Sequence, residues 1–194
     1  MIAATRFIAR SSDREVWLGA RRGAVTATEV AKAATPSGFL LAAEERRNPT
    51  EIIPNAYMEF GTDNEAWIAD NLKAEFGIFH NEWLIAADGN PLHRATPDGL
   101  SLDHTEISEI KTGGKEAYVS PPIQYRRQIQ FQLYVSGAER CLYAFMLRAE
   151  VNDVLVPAWL SPKTQWVDRD EAMIRDLVST ADLLLELDKE WMVA

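Results

Sequence analysis

The stretch "TPDGLSLDHTEISEIKTG", residues 96–113, decides how this chain is read. Asp98 sits in a Pro-Asp-Gly turn. Ten residues separate it from Glu109, and Lys111 lies two further on, in a run whose Ile107 and Ile110 mark a partly buried strand. Strand side chains alternate, so Glu109 and Lys111 face one side and Ile110 the other. Gathering three charged groups beside an apolar run is costly unless something binds there. Taken singly, each piece has a plain structural reading: the turn is common, and Glu-x-Lys is a common surface pair. Together they set two carboxylates at one sheet edge, provided the strand over 93–97 pairs with the strand over 105–111. Two hard oxygen ligands with open positions suit Mg²⁺, which keeps waters and takes further oxygens from a phosphate group. Such an ion activates water and holds a phosphodiester in line, with Lys111 placed to orient the water or offset developing charge.

Outward from this stretch, "AYMEFGTDNEAWIADNLKAEFG" (56–77) reads as a long helix. Glu65, Ile68 and Leu72 share one face of it, with Gly61 one turn before Glu65. Glu65 is either a satisfied buried acid or a third carboxylate reaching the same edge. "SSDREVWLGARRG" (11–23) reads as a short helix opened by a Ser12/Glu15 capping box and stopped at Gly23. "TATEVAKAA" (26–34) repeats the box with Thr26 and Glu29. Residues 34–55 carry Pro36, Gly38, Pro49 and Pro54 and read as loop plus a short helix. Strands are expected around 78–86, 93–97 and 105–111. "PPIQYRRQIQFQLYVSG" (121–137) reads as a helix with proline at its start and Gly137 at its end. Tyr125, Gln128 and Gln132 share a face there, while Gln130 and Gln132 also fit the polar rim of a core helix. "RCLYAFMLR" (140–148) fits a strand covered on both faces, and "DVLVPAW" a shorter strand ended by Pro157. Ile174, Leu177, Ala181 and Leu184 form the apolar stripe of a closing helix. This order predicts an α/β sandwich with a mixed central sheet.

Composition narrows the function classes. The chain has 194 residues, 47% hydrophobic and 25% charged, as in an ordinary globular protein. No apolar run approaches the ~20 residues that span a bilayer, and "MIAATRFIAR" has no secretory h-region, so no membrane partner and an intracellular compartment are expected. The single cysteine, Cys141, lies in an apolar run and reads as a buried hydrophobe. It excludes a disulfide framework or a cysteine-ligated cluster within the chain. A net charge of −9 argues against non-specific nucleic-acid binding by the whole surface. Arg21-Arg22, Arg46-Arg47, Arg126-Arg127, Lys111 and Lys115 leave room for a local basic groove. His80, His93 and His104 lack zinc-like spacing and read as surface or strand residues.

Asp98 followed by Glu109-Ile110-Lys111 resembles the PD-(D/E)xK nuclease signature. More narrowly, residues 13–150 resemble the phage lambda exonuclease and YqaJ-like viral recombinase family. Its pieces occur in order: "WLGARRGAVTATEVA", "MEFGTDNEAW", "TPDGL" with "SEIKT", and "YRRQIQFQLYVSG". The resemblance implies a restriction-endonuclease-like α/β core with a mixed central sheet flanked by helices. It divides one nuclease domain into an N-terminal helical part (1–55), a catalytic core (56–150) and a closing strand and helix (151–194). It implies a Mg²⁺-dependent 5′-to-3′ exonuclease, with Mn²⁺ as substitute and two ions per site. Acting on double-stranded DNA ends, it would leave 3′ single strands for a single-strand-annealing protein. A ring-shaped homotrimer and a phage or prophage origin in a bacterial cytoplasm belong to the same expectation. By the same resemblance Glu65, Asp98 and Glu109 serve the metals, the Ile110 carbonyl is a backbone ligand, and Lys111 is the catalytic lysine. Gln128 and Tyr125 line the site, and Arg21 and Thr28 hold the 5′-terminal phosphate. Independently, an arginine beside a helix start suits phosphate, though Arg21 and Arg22 also read as solvated helix-end cations. Two rivals remain: a restriction-like or junction endonuclease, and a DNA-end-binding module without catalysis. The Arg21–Thr28 motif speaks against the first, and the intact acid–acid–lysine set against the second.

Overall fold

The computed structural model describes residues 1–50 and 53–193. Along them run β1 (Phe7–Arg10), α1 (Arg14–Arg21), β2 (Val25–Thr26), α2 (Ala27–Ala33), α3 (Pro36–Arg47), α4 (Ala56–Phe76), β3 (Ile78–His80), β4 (Trp83–Ala86), β5 (His93–Ala95), β6 (Gly99–Ser101) and β7 (Glu106–Gly113). Then follow α5 (Ile123–Ser136), β8 (Arg140–Val151), β9 (Val154–Pro157), β10 (Lys163–Asp168) and α6 (Glu171–Val193). The main sheet has the order β10-β8-β7-β6-β3, with β9 paired to β8; a second sheet has the order β1-β4-β5-β2. The expected mixed α/β core is therefore present.

One pairing detail positions everything that follows. β7 and β8 run parallel and stay in register from Glu106↔Arg140 to Gly113↔Leu147. On its other side β7 meets β6 only at Gly99↔Ser108 and Leu100↔Ile107. Beyond Ser108 that edge of β7 is open. Gly99 permits the crowding of β3, β6 and β7: a Cβ there would meet the Ser108 hydroxyl and lie 2.8 Å from Ile78 Cγ2. The pairing expected between 93–97 and 105–111 is corrected here. β5 joins the second sheet, and the three-residue β6, read as part of a turn, is what meets β7.

The helices follow their local chemistry. Asn55 caps α4 by accepting from Tyr57 N–H at 3.0 Å and Met58 N–H at 3.1 Å, and Gly77 ends it at φ +70. Ile68 and Leu72 turn their sides of α4 onto Ile78, Ile110, Leu142 and Ala144. Each such burial contributes roughly 1.5–3 kcal/mol. On the opposite face of the sheet, Ile129 and Leu133 of α5 pack on Ile107, Cys141, Tyr143 and Phe145. β8 is thus covered on both faces, and Cys141 is buried as expected. Val30, Phe131, Leu177, Ala181 and Leu184 join α2, α5 and α6 against the second sheet.

Several local expectations change. Asp13, not Ser12, caps α1, accepting from Val16 N–H at 3.3 Å, while Ser12 bonds Glu82. In α2 Glu29 accepts from Thr26 N–H at 3.3 Å, as the box pattern predicts. Pro36 opens a twelve-residue helix where loop plus a short helix was expected, because Thr35 caps it and proline suits its first turn. Glu51 and Ile52 of that segment lie outside the described residues. The run 78–86 is two strands in different sheets, parted at Asn81.

Candidate active site

The open edge of β7 gathers the acid–acid–lysine set. Asp98 is pinned along its whole length. Its N–H donates to Ser108 O at 3.0 Å, its carbonyl accepts from Asn81 N–H at 2.9 Å, and its Oδ2 accepts from Ile110 N–H at 2.6 Å. A strand residue points its N–H and C=O the same way. The Ile110 carbonyl therefore faces the open edge beside Asp98. Asn81, buried, braces the turn: its Nδ2 donates to Pro97 O at 2.8 Å.

Glu109 points from β7 toward α5 and is 1% exposed. Its Oε1 accepts from Lys111 Nζ and from Gln128 Nε2, the latter at 2.6 Å; its Oε2 accepts from Gln132 Nε2 at 2.6 Å. Lys111 Nζ also stands 5.5 Å from the centre of the Tyr125 ring, which packs edge-on against Tyr118. Glu65 projects from α4, half-exposed, with Oε1 3.4 Å from His80 Nε2 at the end of β3. α4 passes close over β7 at Gly61, where a Cβ would lie 3.4 Å from Thr112 Oγ1. That crossing brings Glu65, one turn later, toward Asp98.

The charges act on one another. Burial first, and then the carboxylates of Glu109 and Glu65, push the Asp98 carboxyl well above the usual range, against the pull of Lys111 and the Ile110 N–H. Burial opposes a charged Lys111, but Glu109 and Asp98 outweigh it and hold the ammonium above its ordinary value. Among the described residues, no three His, Cys, Asp or Glu side chains converge as a ready metal cage. The donors at the edge are instead two carboxylates, a backbone carbonyl and the Glu65 carboxylate nearby. All are hard oxygens, and that set fits a cation that retains several waters.

Arg21 and Thr28 lie in the N-terminal helices α1 and α2. Arg21 ends α1 and stacks on Trp17, its guanidinium 4.2 Å from the ring centre. Burial lowers its pKa, partly offset by Glu29. Arg94 steadies this end of α1 by donating to Ala20 O. Thr28 is exposed in the first turn of α2. α2 is only seven residues long, so its dipole adds little. Glu29 is gripped by Arg46 Nη1 at 2.7 Å, and Arg46 reaches on to Asp188 of α6. α2 packs on α5, the helix that carries Gln128.

The sequence matches the YqaJ-like viral recombinase domain over residues 16–139. The chain belongs to that family. Its structure resembles LHK-Exo, an alkaline exonuclease from Laribacter hongkongensis, one structure of which is in complex with dAMP. The TM-score is 0.72 at 26% identity, over 91% of this chain and 93% of that one. A phage-related exonuclease from Haemophilus somnus 129PT shares the fold, with a TM-score of 0.69 at 12% identity over 88% and 95% of the two chains. No curated protein sequence matches the chain. No helix among the described residues is long and apolar enough to cross a membrane.

Within this YqaJ-like domain the structure adds residues that sequence reasoning passed over. Gln132, which shares the Gln128 face and also fitted a polar rim, is buried on Glu109. Gln130 is buried as well, but serves the fold by bonding Asp168 O and Asp170 N–H. His80 is a neighbour of Glu65, and His93 is buried between Asp182 and Tyr134. Buried polar side-chain atoms are as a rule hydrogen-bonded. The exceptions among the described residues are Trp17 Nε1, Thr96 Oγ1 and Gln132 Oε1. They lie beneath Arg21, beside Pro97-Asp98 and at Glu109.

The YqaJ-like domain should show its strained carboxyl in stability. With its pKa raised, folded Asp98 holds a proton that the unfolded chain releases above about pH 4. Metal-free stability contributed by Asp98 is thus lost as pH rises through the raised value. Asp98→Asn should melt higher than wild type at about pH 8 in chelator, with the gap closing toward pH 4. Thermal melts at both pH values read this directly.

Proposed function

We propose that the protein is a Mg²⁺-dependent exonuclease that digests duplex DNA from 5′ ends and leaves 3′ single strands. The observation that carries this reading is the pinned Asp98 beside Glu109, Lys111 and the outward-facing Ile110 carbonyl on an open strand edge. Family membership and the likeness to LHK-Exo support it. LHK-Exo holds dAMP, the kind of mononucleotide that stepwise digestion releases.

Asp98, Glu109 and the Ile110 carbonyl would hold the cation, with Glu65 completing the set or serving a second ion. A divalent cation held there supplies Lewis-acid chemistry, offsetting phosphodiester charge and easing deprotonation of water. The chain does the rest. Lys111, kept as an ammonium, donates to the attacking water or to a phosphate oxygen. Gln128 holds Glu109 in place, and the Tyr125 ring steadies the Lys111 ammonium through its face. Arg21 offers a planar fork to the 5′-terminal phosphate, and the Thr28 hydroxyl adds a donor. A trimer and a single-strand-annealing partner belong to this reading through the family.

Metal dependence should follow ligand chemistry. Mg²⁺ and Mn²⁺ should support cleavage and excess chelator should abolish it. Ca²⁺ should permit DNA binding with little turnover, because its looser coordination does not set the in-line geometry. Duplex labelled at one 5′ or one 3′ end reads polarity in the same reactions. Loss of the 5′ label first is expected. Full activity in chelator, or loss of the 3′ label first, contradicts the reading.

A further inference from the structure

We propose that Gln132 is a positioning residue that fixes the plane of the Glu109 carboxylate for cation binding, an inference resting on the metal-dependent reading above. Gln132 lies one turn beyond Gln128 on α5 and is 1% exposed. Its Nε2 donates to Glu109 Oε2 at 2.6 Å, while Gln128 Nε2 donates to Oε1 at 2.6 Å. Two amides on one helix face thus grip opposite oxygens of one carboxylate, which prevents it from rotating.

The orientation of the Gln132 amide is forced. Flipped, it would set Oε1 against Glu109 Oε2, acceptor against acceptor. In the orientation that holds Glu109, Oε1 is buried with no donor. An unsatisfied buried acceptor opposes folding, and here it is offset only by what the amide donates to Glu109 Oε2. Apolar packing therefore does not account for this amide, whereas its grip on Glu109 does. Gln130, 3% exposed on the same helix, shows the structural alternative: Nε2 bonds Asp168 O and Oε1 accepts from Asp170 N–H, both at 2.8 Å.

The type of donor matters too. A carboxylate offers about four acceptor sites, and Gln128, Gln132 and Lys111 use three of them. Lys111 brings a charge that competes with a metal ion. The amides fix the carboxylate without cancelling its charge.

The test compares wild type, Gln132→Met and the control Gln130→Met. Mn²⁺ binding to metal-free protein is measured by calorimetry without DNA, together with melting temperature in chelator and kcat and KM on linear duplex. Gln132→Met should weaken Mn²⁺ binding about 10- to 100-fold, the usual cost of losing a group that orients a ligand. Its kcat should fall while KM for DNA holds; its metal-free melting temperature should fall too, because buried Glu109 Oε2 loses its donor, but unlike in Gln130→Met that fall comes with weakened Mn²⁺ binding. Gln130→Met should melt lower and keep its Mn²⁺ affinity. Wild-type Mn²⁺ affinity in Gln132→Met overturns the proposal. So does an equal loss of Mn²⁺ affinity in Gln130→Met, which would mean that destabilisation alone weakens the site. Failure of wild type itself to bind Mn²⁺ removes the metal reading as well, and so is told apart from failure of the Gln132 role alone.

Discussion

Replacing Lys111 with alanine should lower the rate of duplex digestion by about 10²–10³, the effect of removing one group that stabilises transition-state charge. Lys111 is positioned for this from both sides. Glu109 and Asp98 hold its charge, and Tyr125 lies against it. The fold should survive, because Gln128 and Gln132 still satisfy Glu109. Metal-free Lys111→Ala should nonetheless melt lower than wild type, since the carboxylates lose their internal counter-charge. Initial rates and melts on the same purified sample separate the two effects. Near-wild-type turnover in a folded Lys111→Ala protein would mean that the chemistry lies elsewhere.

Arg21→Ala should slow digestion of 5′-phosphorylated linear duplex roughly 10- to 100-fold, matching about 1.5–3 kcal/mol for a hydrogen bond to a charged group. Ends carrying a 5′-hydroxyl should change little, so the preference for phosphate shrinks. A terminal phosphate monoester carries more charge than an internal diester, and a guanidinium fork discriminates on that difference. Arg21→Lys should recover only part of the loss, because the ammonium keeps charge but not the planar fork. Its contact with Trp17 makes the site sensitive to shape as well as charge. If wild type digests phosphate and hydroxyl ends equally fast, the pocket is wrong while the exonuclease reading stands.

Long elements with intact punctuation are legible in this sequence. α4 carries a cap, an apolar stripe and a terminal glycine, so local chemistry and tertiary packing agree. α5, β8 and α6 are readable for the same reason. β6 is not, because three residues within Pro-Asp-Gly-Leu-Ser look like a turn, and only the neighbours of Gly99 make them a strand. β2, with two residues, carries no periodic signal at all. β10 is half exposed and shows no strict alternation of buried and exposed residues. Within the site, Asp98, Glu109 and Lys111 are readable because a short turn and one strand bring them together. Gln132 does leave a trace, falling on the Gln128 face of α5. An amide reads equally well as rim until Glu109 is seen opposite it. The meeting of Glu65 with His80 leaves none, since it depends on how β3 folds back along α4 after Gly77.

The central claim is that this protein attacks duplex ends, and one mixed reaction tests it most directly. Linear duplex and covalently closed circular duplex of the same sequence are incubated together with Mg²⁺, and the loss of each is followed over time. The account predicts that linear duplex is converted to mononucleotides and single strands while closed circles persist. Cutting of closed circles at the rate of linear duplex would contradict it and turn the same residues into an endonuclease site.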